Sequence, residues 1–168
     1  NYIDPYLIDT YMKDSKRFMA TFRGSSSKED ITDGYLELLK NKEKIMWARR
    51  ISGIVGAFMM SSAFNWLLDP ASAASGLSMS LLEGQGGNTQ IGDFTSFFFT
   101  AGLMALIGAY RNEHIWLYTT ISLLGSAAVF RISAGIFHGT EFLTSAIVFE
   151  IFLSVALLIC ARKIKSES

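Results

Sequence analysis

The chain has 168 residues, about the size of one ordinary domain, and its formal net charge is zero. Half of the residues are hydrophobic and only 18% are charged, with a mean hydropathy of +0.30, whereas soluble domains usually carry about 25% charged residues. One cysteine excludes an internal disulfide, and two distant histidines argue against a zinc or haem site.

The N-terminal segment, residues 1–45, is predicted to form an amphipathic helical extension. Asp4 is a natural N-cap, Pro5 suits the first helical position, and Gly24 ends the first helix. The apolar stripe of this helix can be covered by the anionic membrane surface, by residues 31–46 or by a partner protein. Its aromatic content favours a packed interface. The residues expected to dock on a partner are Leu7, Tyr11, Phe18 and Phe22.

Four apolar stretches follow the extension, at about residues 51–68, 94–110, 115–137 and 142–161. Each is close to the ~20 residues that cross ~30 Å of hydrocarbon, and backbone groups in lipid must be hydrogen bonded within their own segment. Tight turns at 111–114 and 138–141 make neighbouring helices antiparallel. The sequence therefore predicts an all-α, polytopic membrane protein, in which residues 46–165 form a four-transmembrane-helix up-down bundle.

The first connection, residues 69–93, is expected to be a long loop. Asp69-Pro70 stops the first helix, and residues 77–82 are expected to form a short helix at the membrane surface. Gly53 and Ala57 have the spacing of small residues that allows two helices to approach closely.

Basic residues near the helix ends predict the orientation of the bundle. Nine lie on one side, and the loops at 69–93 and 138–141 contain none. Both termini are therefore expected in the cytoplasm. Trp47 and Trp116 are expected as interfacial anchors on the basic side, with Trp66 on the other. The nine basic residues are Lys40, Lys42, Lys44, Arg49, Arg50, Arg111, Arg162, Lys163 and Lys165.

Short motifs over residues 51–163 resemble a domain-of-unknown-function family of small, four-helix bacterial inner-membrane proteins. The resemblance implies a four-helix membrane fold and implies no activity. Residues 1–45 lie outside it. The motifs are Asp69-Pro70 with Ala73-Ala74 and Gly76-Leu77, Gly92-Asp93-Phe94 with Phe97-Phe98 and Gly102, Ala128-Val129-Phe130-Arg131, His138-Gly139 and Glu150.

Two charged residues inside predicted transmembrane helices are the most informative positions. Arg131 interrupts the third apolar stretch and Glu150 the fourth. An ionised group in hydrocarbon costs about 2.5–3.5 kcal/mol on insertion scales, so each needs a partner, a proton or water. Their similar depth predicts an Arg131–Glu150 contact, and Asp93 and His138 are expected to join it in one polar cluster.

This cluster has four interpretations. An interhelical clasp that fixes helix register is the simplest, and a binding site for a small polar or amphipathic ligand comes second. A proton or ion path would need further polar residues in the inner half, where the sequence offers only Ser122, Ser126 and Ser154. Catalysis is the least favoured, and no catalytic or metal-binding residues are assigned.

The leading functional hypothesis is a non-enzymatic accessory subunit of a larger membrane protein complex. Such a subunit would dock on other membrane protein subunits through its N-terminal helices and bundle faces. The alternative is a small carrier or binding protein for a lipid or quinone-like ligand at Asp93, Arg131 and Glu150, and a membrane enzyme using Glu150 or His138 ranks third. No cofactor is indicated beyond a bound lipid, and the mixed charge of residues 1–45 argues against nucleic-acid binding.

Overall fold

The computed structural model describes the backbone of residues 28–166, and the side chains of Glu43 and of residues 45–166. The chain divides into two compact units, Asn1–Glu43 and Lys44–Ser168, close to the boundary predicted after residue 45. The predicted docking residues Leu7, Tyr11, Phe18 and Phe22 lie outside the described residues.

Five helices make up the described chain, and residues 28–166 contain no strand. Four of the helices include segments that are long and apolar enough to cross a membrane: Ile45–Leu68, Gly84–Arg111, His114–His138 and Thr144–Ser166. The predicted all-α membrane fold is confirmed. The helices are α1 (Lys28–Leu68), α2 (Pro70–Gly76), α3 (Gly84–Arg111), α4 (His114–His138) and α5 (Thr144–Ser166).

The prediction of a helix at residues 77–82 is wrong, because these residues are not helical and the short helix α2 precedes them. The Asp69 side chain explains the position of α2. An Asp69 carboxylate oxygen accepts a hydrogen bond from the Ser72 amide at 3.2 Å, and Pro70 occupies the first helical position. The residue pair that ends α1 therefore also starts α2.

The loop predicted at residues 69–93 is too long, because α3 already begins at Gly84. Two glycines explain this early start. Gly84 has a φ of +57°, which an L side chain rarely adopts, and a Cβ added at Gly87 would collide with the Leu82 carbonyl oxygen. Both glycines let the chain turn tightly into the helix.

Helices α1 and α3 cross at two glycines. A Cβ at Gly56 would lie 2.9 Å from the Leu106 amide nitrogen, and a Cβ at Gly102 would lie 2.7 Å from the Met60 amide nitrogen. The two backbones are therefore in direct contact. Of the predicted pair of small residues, Gly53 also faces α3, whereas Ala57 is exposed and its neighbour Gly56 lies at the crossing instead.

The core of the bundle lies between α1, α3, α4 and α5. A buried hydroxyl joins α4 to α3, because Thr120 Oγ1 donates a hydrogen bond to the Ala101 carbonyl oxygen at 2.7 Å. At the basic end, Arg49 Nε donates to the Ala109 carbonyl oxygen at 2.9 Å, which satisfies one of the last carbonyls of α3. The largest fully buried aliphatic side chains of the core are Met59, Leu117, Leu124, Leu157 and Ile164.

Trp66 is not the interfacial anchor that the sequence suggested. Its side chain is only 2% exposed, and its ring stacks on Phe94 with the centroids 4.4 Å apart. Ala73 and Ala74 of α2 belong to the same buried cluster. The short helix therefore covers Trp66, whereas Trp47 at the basic end is half exposed.

Candidate functional site: a cleft toward the acidic end of the bundle

A cleft of about 660 Å³ opens in the half of the bundle toward its acidic end, the end where α1 finishes and α3 begins. That end carries Asp69, Glu83, Asp93 and Glu141, and residues 69–93 and 138–143 contain no Lys or Arg. All five helices contribute to the wall. The aromatic residues of the lining are Phe58, Trp66, Phe97, Phe98 and Phe149.

One ion pair stands on this largely apolar wall. Arg131 Nε donates hydrogen bonds to Glu150 Oε1 at 3.0 Å and Oε2 at 3.3 Å. The side chains are 27% and 10% exposed, respectively. Because α4 and α5 are antiparallel, Arg131, seven residues before the end of α4, meets Glu150, six residues after the start of α5. The predicted contact is confirmed.

The pair links α4 to α5, and each charge provides the partner that the other needs. An ionised group left alone at this depth would cost about 2.5–3.5 kcal/mol. The remaining polar groups of the lining are serine hydroxyls and one amide. These belong to Ser61, Ser62, Asn65, Ser72 and Ser145.

The structure does not bring Asp93 and His138 into this contact, which corrects the predicted four-residue cluster. His138 is the last residue of α4, about 10 Å along the helix from Arg131, and its side chain is exposed. Asp93 is exposed near the start of α3, where its main-chain carbonyl accepts a hydrogen bond from Ser96 Oγ at 3.0 Å. Neither side chain has a hydrogen bond or an ion pair with any described residue.

Helix α2 forms part of the cleft wall, and sequence reasoning missed this. Ser72, Ala73, Gly76 and Leu77 line the cleft from α2 and the residue that follows it. The short helix reaches the cleft because it folds back over Trp66.

Gln90 holds the segment that follows α2. Its Oε1 accepts from the Leu82 amide at 2.9 Å, and its Nε2 donates to the Ser80 carbonyl oxygen at 3.2 Å. The Gln90 side chain is almost fully buried. The sequence gives no periodic signal for Gln90, because its side chain bonds to a loop, and a loop has no repeating backbone structure.

Among the described residues, no group of three or more His, Cys, Asp and Glu side chains is placed to hold a metal ion. The chemistry that the cleft offers is therefore that of the Arg131–Glu150 pair, a few hydroxyls and an aromatic wall. Such a site is equipped for binding an amphipathic molecule.

No protein-family model, curated protein or solved structure matches this chain, and the resemblance to a four-helix inner-membrane family stays a prediction.

Proposed function

We propose that the protein binds one membrane-soluble amphipathic molecule of the lipid or quinone-like class in this cleft. The observation that carries the proposal is an ion pair on the wall of a largely apolar, aromatic-rich cleft of about 660 Å³. Ligand sites in proteins typically measure about 300–1,000 Å³ and combine an apolar lining with a few convergent polar groups.

A purely structural clasp accounts less well for the surroundings of the pair. An interhelical clasp needs only Arg131 and Glu150. It gains no stability from a cleft beside it, because helices that border empty space lose van der Waals contacts there. Here the pair borders that space, and 27% of the Arg131 side chain is exposed. The exposed part supports a role in contacting a ligand.

Two phenylalanines provide a path for an apolar tail. Phe58 of α1 and Phe149 of α5 meet edge to face with their ring centroids 5.4 Å apart. Both line the cleft, and Phe58 and Phe149 are 48% and 41% exposed, respectively. A tail that follows these rings would extend from the cleft into surrounding lipid.

The test is to purify the full chain in mild detergent and to identify co-purifying small molecules by mass spectrometry. The double variant Arg131→Met/Glu150→Gln removes both charges without leaving one unpaired. A matched control, Arg111→Met/Glu113→Gln, removes an exposed pair of 3.3 Å at the basic end. We expect the wild type and the control to retain a stoichiometric ligand that the cleft variant loses. Equal ligand content in all three proteins, or none in the wild type, would refute the proposal.

The sequence alone favoured an accessory subunit of a membrane protein complex, and this stays a prediction. Its docking residues precede the described part of the chain, so no described contact supports it. The same purification tests it, because an accessory subunit should bring partner proteins in fixed stoichiometry.

For localisation, we propose a bacterial inner membrane, or an equivalent organelle membrane, with the basic end of the bundle in the cytoplasm. The support is the placement of Lys and Arg at one end only. In a Cys160→Ala background, a membrane-impermeant maleimide should label Ser80→Cys in intact cells and label Ser166→Cys only after lysis. Both serines are exposed. The opposite labelling pattern would reverse the orientation.

A further inference from the structure

The guanidinium group of Arg131 is only partly used by its partner. Nε donates to both carboxylate oxygens of Glu150. A guanidinium has five N–H donors, and the four on Nη1 and Nη2 have no hydrogen-bond partner among the described residues. Because Arg131 lines the cleft and 27% of its side chain is exposed, a molecule in the cleft can accept from these donors.

The described lining of the cleft carries no net charge. Arg131 and Glu150 are its only charged members, and they lie 3.0 Å apart. An anionic head beside Arg131 would also lie beside the Glu150 carboxylate, and a cationic head would meet the guanidinium in the same way. Repulsion from one member of the pair then offsets part of the attraction to the other. An uncharged head avoids this conflict and the cost of desolvating an ion.

The strongest unpartnered donors of the lining are on Arg131. Each Glu150 oxygen already accepts one hydrogen bond from Arg131, whereas the four N–H groups on Nη1 and Nη2 have no partner among the described residues. These are N–H donors of a cation, which make stronger hydrogen bonds than neutral donors. A ligand oxygen with lone pairs, and no charge, complements them.

We infer that the ligand has an uncharged head with a carbonyl oxygen, as in a quinone ring or an acyl ester, and that this oxygen accepts hydrogen bonds from Nη1 or Nη2 of Arg131. The apolar tail lies along Phe58 and Phe149. This inference rests on the proposed function and adds to it the chemistry of the head.

The fluorescence of Trp66 provides the readout, because Trp66 lines the cleft and is otherwise buried. The full chain with Trp47→Phe and Trp116→Phe keeps Trp66 as its single tryptophan. Three probes with the same dibrominated C18 chain quench the Trp66 fluorescence on contact. The anion is dibromostearate well above its carboxyl pKa, the ester is its methyl ester, and the alkane is the corresponding dibrominated alkane. Decylubiquinone, which also quenches tryptophan, represents the quinones.

We expect the ester to reach half-maximal quenching at a concentration about tenfold below those of the anion and the alkane, as one charge-assisted hydrogen bond implies. Arg131→Met/Glu150→Gln should remove the advantage of the ester over the alkane, and Arg111→Met/Glu113→Gln should keep it. Tighter binding of decylubiquinone than of the ester would assign the carbonyl to a quinone, and the reverse would assign it to an acyl ester.

An anion that binds as tightly as the ester, or an alkane that does so, would overturn the inference and leave the proposed function standing. Absence of quenching by every probe would overturn both. The comparison of ester, anion and alkane uses the intact Arg131–Glu150 pair, so it decides the question even if the double variant does not fold.

Discussion

The Arg131–Glu150 pair makes a quantitative prediction about stability in the membrane. Glu150→Gln leaves an unpaired guanidinium in a largely apolar site, and Arg131→Met leaves an unpaired carboxylate there. Either single replacement should therefore cost more stability than the replacement of both residues.

The magnitude follows from the geometry of the pair. Removing one partner of a buried pair typically costs about 3–5 kcal/mol. The Nε–Oε1 distance is 3.0 Å, and Arg131 is 27% exposed, which lowers this cost. We expect about 2–3 kcal/mol for each of the single variants, Glu150→Gln and Arg131→Met. The double variant leaves no charge unpaired and should cost about 1 kcal/mol or less, giving a coupling near 4 kcal/mol.

The assay is reversible unfolding of the purified chain in mixed micelles of mild detergent and dodecyl sulfate, followed by helical circular dichroism. The cycle on Arg111 and Glu113, whose side chains are 56% and 38% exposed, is the control and should show a coupling of about 1 kcal/mol or less. If the cleft double variant is as unstable as the sum of its single variants, the pair does not have the energetic role argued from its burial.

Two further predictions concern the elements that shape the cleft. Gly102→Ala should destabilise the bundle by about 1–3 kcal/mol in the same unfolding assay, since its Cβ would press on the Met60 backbone. The control Gly92→Ala, which has open space around it, should be neutral or mildly stabilising. Equal effects of the two variants would refute the close crossing of α1 and α3. Gln90→Leu removes the hydrogen-bond partner of the Leu82 amide and of the Ser80 carbonyl oxygen, so hydrogen exchange at Leu82 should accelerate, as it should not for the exposed Gln85→Leu. Unchanged exchange in both would show that Gln90 does not hold the loop.

Much of the fold was predictable from sequence because hydrocarbon imposes simple rules. Long apolar segments must cross it as helices, and this yielded the four spans and their antiparallel order. The Arg131–Glu150 contact was predictable too, since two opposite charges at similar depth on consecutive antiparallel helices have few other partners. The stop at Asp69-Pro70 also followed from local chemistry.

The errors fall where local patterns support more than one structure. Residues 84–93 were predicted to belong to a loop, yet they are helical, and Gly87 is required by the close approach of the Leu82 carbonyl at the start of α3. The position of α2 at Pro70–Gly76, rather than at 77–82, depended on the Asp69 cap. Small residues indicated a helix crossing, but only packing selected Gly56 over its exposed neighbour Ala57.

By itself, the sequence determined that this chain crosses a membrane as helices and where it carries charge, because solvent polarity acts on each segment separately. The tertiary structure decided that α2 folds over Trp66, that Gln90 pins the following loop, and that the ion pair borders a cleft. It also decided that Asp93 and His138 remain apart from that pair. These features arise from how separate segments fit against one another, and the shape of the space between helices is not encoded in any one of them.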